Sequence, residues 1–270
     1  MNRETLVNVA LVTIAVAVVC AAIVVVRRRW PDRLLEEHGA IGAVLAIAAT
    51  VYGIILGLTV VAVWERFLSA EVILTDELNA LYAVVRIAGA YPPDEREHLE
   101  SAALAYGNAV AQYELGEGTV TSGSSPQARS AVRRMYAVLN GIAADGGPGE
   151  LALEPSYEAV MRLDQARGDR LVLEDRSLPG RLWVVLLVGG GTTMMFLVLL
   201  APGNLPVHLL IGGATTLLIG LTLSLVHEMD RPFHEPIAID FGAYGRGLRS
   251  LEREAGEPLV PLAVATPVAR

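Results

Sequence analysis

Four stretches of the chain carry no charge for long enough to cross a bilayer, which takes roughly 20 apolar residues. They run from Leu6 to Val26, Ala40 to Trp64, Leu182 to Ala201 and Pro206 to Val226. The second does not stop where its charge-free part ends. Beyond Trp64, the apolar residues Phe67, Val72, Leu74, Leu78, Leu81 and Val85 keep a helical period while charge enters, and no proline interrupts before Pro92. The pattern predicts one helix of about 50 residues, near 75 Å at 1.5 Å per residue. It leaves the lipid and becomes the first helix of a soluble insert.

That insert spans about 65–178. Pro92-Pro93-Asp94-Glu95 reads as a helix start, with proline tolerated in the first turn and acids suited to the N-terminal dipole. The helix it opens reaches about Leu115. Gly116 to Pro126 reads as a loop by composition. A further helix over about 127–144 and another over about 155–177 flank the DGGPGE loop. No segment alternates with period two for long, so the insert is expected to be all helical. After the fourth span a short amphipathic piece over about 240–254 precedes a Pro/Ala/Val tail, expected to be disordered.

The first span competes with a signal peptide. A signal core is usually about 7–15 residues before a small-residue cleavage site, whereas this run is longer and closes on Arg27-Arg28-Arg29-Trp30. It reads as a transmembrane helix. On the second span Gly42, Ala46, Ala49, Gly53 and Gly57 step by three and four, as do Gly212, Thr216, Gly220 and Ser224 on the fourth. Such stripes let helices approach closely in lipid; plain abundance of Gly and Ala is the other explanation of the first. The short, uncharged PGNLP link makes the third and fourth spans a helical hairpin.

Composition agrees with a membrane protein carrying a sizeable water-exposed part: 53% of the 270 residues are hydrophobic, with mean hydropathy +0.47. A net charge of −8 argues against a broad nucleic-acid footprint, which needs a basic domain. The single cysteine, Cys20, excludes a disulfide within the chain and reads as a small hydrophobe. The arrangement of arginines leaves orientation open. Cytoplasmic termini and insert place Arg3, Arg66, Arg176, Arg181 and Arg231 inside; the reverse places Arg27, Arg28, Arg29 and Arg33 there. The uncharged 202–206 link is the easier one to translocate, which favours a cytoplasmic insert.

Enzymatic signatures are missing. His227-Glu228 lacks a second metal-binding histidine, and no CxxC, P-loop or nucleophile elbow occurs. No enzyme activity, cofactor or metal is expected. The charge-free spans also disfavour proton-coupled transport, which places ionisable groups at membrane depth, and His208 reads as an interfacial residue. A channel can instead be apolar and gate by dewetting. Tyr52, Ile55 and Thr59, on one face of the second span, are the pore-lining candidates; plain packing explains each equally well. Glu65, Arg66, Glu71, Asp76 and Glu77 follow the exit, with a solvated face as the default and a cation site or a pairing with Arg86 as alternatives. Glu65, Arg66, Asp230, Arg231 and Pro232 are candidates for a structural junction at the interface, in which Asp230 caps the next segment or pairs with Arg66.

The residues VYGIILGLTVVAVWERF at 51–67, Glu77-Leu78-Asn79-Ala80-Leu81 with Arg86 and Pro92, LPGRLWVVLLVGG at 178–190 and MDRPF at 229–233 together resemble the bestrophin-like family of bacterial membrane proteins. The resemblance implies four spans, an insert between the second and third, and kinship with bestrophins, pentameric anion channels whose second helix lines the pore. The expectation is therefore an all-α integral membrane protein with four transmembrane helices and a helical soluble insert. It sits in the bacterial inner membrane as a homo-oligomer, passes small anions and has no nucleic-acid partner. The rival expectation is a membrane-anchored scaffold or sensor whose insert binds a protein partner.

Overall fold

The computed structural model describes residues 3–29, 38–115, 124–145, 150–175, 177–200, 204–230 and 241–256. Among them there is no strand. The helices are α1 (Arg3–Arg29), α2 (His38–Ala88), α3 (Pro93–Ala109) with a π turn at its end (Val110–Glu114), α4 (Pro126–Asp145), α5 (Glu150–Asp175), α6 (Gly180–Leu199), α7 (Leu205–Met229) and α8 (Phe241–Gly256). α1, α2, α6 and α7 are each long and apolar enough to cross a membrane. The Val- and Ile-rich sequences of α1 and α2 are indifferent helix formers in water. In lipid, a helix is the one spanning form that satisfies all of its own backbone groups within the segment.

The chain divides into two compact units, Met1–Ser69 with Arg176–Ile239, and Ala70–Asp175 with Asp240–Arg270. In the first, α1 packs along α7. The small-residue stripe of α7 receives α1 side chains: a Cβ at Gly212 would lie 2.5 Å from Ile23 Cδ1, and one at Gly220 3.0 Å from a Val12 methyl. Asn8 Nδ2 donates to Glu228 Oε1 at 3.0 Å, joining the same two helices. A core of Val63, Leu178, Leu186, Val226 and Met229 gathers α2, α6 and α7, with Phe67 and Trp183 against it. His208, expected at the interface, is buried, its Nε2 3.0 Å from the Leu197 carbonyl oxygen.

In the second unit, α3 packs on α4, α4 on α5, and α8 lies against α2 and α3. α5 begins at Glu150, one turn before the expected start, and carries Pro155 inside it. As the sixth residue of α5, Pro155 has no N–H to give the Leu151 carbonyl, so the helix lacks one backbone bond there. Ser125 caps α4 by accepting from Ala128 N at 3.1 Å, with Pro126 opening the helix behind it. α8 is seated by glycines. Leu248 occupies the space a Cβ would need at Gly107, and Leu78 Cδ2 lies 2.5 Å from where one would stand at Gly247. Residues 30–37, 116–123, 146–149, 176, 201–203, 231–240 and those after 256, among them the stretches expected to be loops and tail, lie outside the described residues.

Candidate functional site

α2 presents two different faces in the first unit. Toward the other helices it buries Tyr52, which is 5% exposed, and Thr59, 4% exposed. Tyr52 lies flat on a glycine surface of α6: a Cβ at Gly189 would stand 2.7 Å from Tyr52 Cδ2, and one at Gly190 3.0 Å from its hydroxyl. Gly189-Gly190 is thus the seat of a tyrosine ring. Thr59 donates to the Ile55 carbonyl at 2.8 Å, and Ile55, half-buried, packs against the core of this unit. The three residues singled out for a pore face turn inward within one chain.

The opposite side is open. Val44, Ile47, Val51, Ile54, Leu58 and Val61 step alternately by three and four and are all exposed, Ile47 at 67% and Leu58 at 66%. Gly53 and Gly57 have nothing within 4 Å of where a Cβ would stand. This apolar stripe is continuous, and among the described residues nothing covers it.

On the packed side, one turn beyond buried Val63, Arg66 Nη1 donates to Asp230 Oδ1 at 2.9 Å, and the same oxygen accepts from Leu178 N at 2.7 Å. Asp230 is buried and binds α2 to the residues that precede α6. Glu65 is exposed. Arg231 and Pro232 lie outside the described residues.

The second unit holds a buried charged cluster that includes Glu77, a residue expected on a solvated face. Arg170 donates from Nε to Glu77 Oε2 at 2.6 Å and from Nη2 to Glu114 Oε2 at 2.5 Å. Arg167 Nη2 donates to Glu114 Oε1 at 2.7 Å, as does the backbone N–H of Ser125, also at 2.7 Å. Tyr106 donates to Glu77 Oε1 at 2.6 Å. All four charged side chains are buried. Two acids and two guanidinia balance, which is what makes their burial tolerable. Burial raises the Glu114 carboxyl, but the Arg167 hydrogen bond and the Arg170 charge outweigh it and hold the group below its ordinary value. Burial lowers the Arg170 guanidinium, and the Glu77 charge more than reverses that. Burial, with the Glu77 charge beside it, pushes the Tyr106 and Tyr244 phenols well above 10.

The signal for this cluster is in the spacing. Ala70, Leu74, Glu77, Leu81, Val84 and Ala88 step by three and four along the buried face of α2, so Glu77 occupies a core position. Val160, Leu163, Arg167 and Arg170 do the same on α5, and Tyr106, Val110 and Glu114 step by four at the end of α3. The π turn, closed by Leu115 N to Val110 O at 2.9 Å, widens the last turn that carries Glu114. Among the described residues, no three His, Cys, Asp or Glu side chains gather as a metal site.

These features define a helical membrane protein with four apolar helices and a helical insert closed by buried ion pairs. The Bestrophin-like domain matches residues 13–243, and the chain belongs to the Bestrophin-like family. Its fold is similar to a crystal structure of a bacterial bestrophin homologue from Klebsiella pneumoniae, at TM-score 0.73 and 15% identity, over 92% of this chain and 99% of that one. A point variant of a Klebsiella pneumoniae bestrophin homologue superposes at TM-score 0.76 with 15% identity, over 91% and 99%. A structure described as a membrane protein gives 0.74 at 15% identity, also over 91% and 99%. No curated protein matches the sequence.

Proposed function

We propose that copies of this chain assemble into a channel for small anions in a bacterial cytoplasmic membrane, with the open face of α2 lining the path. Residues 1–64 and 179–228 span the membrane, 65–178 form the insert, and 229–270 form a junction and tail, with insert and termini on the cytoplasmic side. The observation that carries the reading is the unbroken apolar stripe from Val44 to Val61 on a helix whose other side is packed. Family membership supports the resemblance to bestrophins, from which the choice of anions is taken. Tyr52, Ile55 and Thr59 serve the path from behind, as the bearing that fixes the rotation of α2 against α6. Glu65, Arg66, Asp230, Arg231 and Pro232 form the junction that sets where α2 leaves the lipid.

An apolar lining conducts when it is wet and closes when it dries. The test is anion flux into liposomes carrying the purified protein. Ile54→Ser and Leu58→Ser, on the open face, raise flux severalfold by easing wetting, while Thr59→Ala changes it little. Absence of flux above empty liposomes, from protein shown to be folded and oligomeric, refutes the channel. A sealed monomer or dimer whose insert captures a protein points to the scaffold instead.

A further inference from the structure

The buried ion pairs of the second unit leave hydrogen-bond donors over. Arg170 spends Nε on Glu77 and Nη2 on Glu114, while its Nη1 meets no acceptor among the described residues. Arg167 bonds Glu114 and Ser124 through Nη2, and its Nε is likewise without one. The hydroxyl of Tyr244 on α8 is the third such atom. All three are cut off from solvent: the Arg170 side chain is 1% exposed, that of Arg167 6% and Tyr244 2%. The other buried atoms in this state, on Tyr52, Arg66 and His208, belong to the first unit.

α8 carries Tyr244 to the network. Gly247 is pressed on Leu78, and Leu248 reaches Gly107 and Leu81, so α8 crosses α2 next to Glu77 and α3 next to Tyr106. Tyr244 stands one turn before Leu248. The charges of Glu77 and Arg170 both act on its phenol, as they do on that of Tyr106.

A buried donor without an acceptor forfeits the bond it made to water in the unfolded chain. Three in one network call for an acceptor among them. An anion does not serve, because two carboxylates already balance two guanidinia and a further charge would be buried uncompensated. Water is neutral, offers lone pairs to such donors and brings two protons of its own. Those protons find acceptors: Glu77 Oε2 and Glu114 Oε2 each take a single bond from the described residues, and a carboxylate oxygen accepts two.

We infer that a water molecule is sealed in this unit, held by Arg170 Nη1 and the Tyr244 hydroxyl beside Glu77. It joins α8 to the ion pairs that close α2, α3 and α5, and it does so in a channel or a scaffold alike.

The experiment is Tyr244→Phe in the full-length protein in detergent, which removes the hydroxyl and keeps the ring. A water-bonded hydroxyl predicts a folding equilibrium constant about fivefold lower, the worth of one net hydrogen bond. Urea unfolding followed by circular dichroism reads it. Tyr113→Phe, at an exposed phenol, leaves stability unchanged. A more stable Tyr244→Phe protein means that the hydroxyl was bonded to nothing, and overturns the inference. A crystal structure of the wild type, at a resolution that shows ordered waters elsewhere, is the second measurement. It is expected to show one within about 3.2 Å of both Arg170 Nη1 and Tyr244 Oη. A direct bond between those two atoms, or no water there, overturns the site even if Tyr244→Phe is destabilised or fails to fold.

Discussion

Single buried charges decide the stability of the insert. Arg170 reaches two carboxylates from separate nitrogens, so Arg170→Ala leaves Glu77 and Glu114 buried without it. Removing one partner of a buried pair costs about 3–5 kcal/mol. The insert of that variant is expected to unfold at markedly lower denaturant, and circular dichroism of the purified protein measures it. Glu114 gives a pH dependence whose sign follows from its depressed carboxyl. The stability it contributes is full above its ordinary value of 4.5 and is lost as pH falls through the lower folded value. Melting temperature should therefore fall on acidification below about pH 4.5, and fall less steeply in Glu114→Gln. The phenols of Tyr106 and Tyr244 work in the opposite direction. Their protonated forms fit the buried site, so stability declines as pH rises past 10, where the unfolded chain ionises first.

At the scale of elements, glycines are where helices meet. Gly189→Val brings a branched side chain into the Tyr52 ring, which lies 2.7 Å from the Cβ position and has no room to tilt toward Gly190. Overpacking of that kind costs about 1–3 kcal/mol. The expected outcome is a lower melting temperature restored in part by Tyr52→Ala, a coupling that two independent substitutions would not show. The order and approximate bounds of the helices were legible because charge-free length and helical period survive any tertiary context. The rotation of α2 was not. Tyr52 and Thr59 carry polar groups, which suggested a wet face. But Gly189-Gly190 offers a ring-sized recess, and Thr59 satisfies its own hydroxyl on the Ile55 carbonyl. The buried cluster was hidden for a related reason. Glu77 stands next to Asp76, Glu71 and Glu65, and reads as one more solvated acid until its three-and-four spacing with Leu74 and Leu81 is weighed against them.

For the whole molecule, fold similarity and family membership bring the chain to a membrane protein, and its own surface carries the argument further. An apolar stripe inside lipid needs no protein partner. Leu68 and Val72, however, are exposed beyond Glu65 and Arg66, and on the proposed topology water is there the alternative to a second copy. Leu68→Glu together with Val72→Glu is expected to shift the detergent-solubilised protein to smaller particles, measured by light scattering coupled to size exclusion. An unchanged mass would place the contact between copies elsewhere.

The stripe on α2 also sets a hand. Residues from Val44 to Val72 recur every 3.5 positions on average, whereas a straight α-helix turns every 3.6. The shortfall accumulates to about 20° per heptad, so neighbouring α2 helices meeting along the whole stripe must coil about a common axis in the left-handed sense. A bundle of α2 helices with the opposite twist would lose contact after two or three turns.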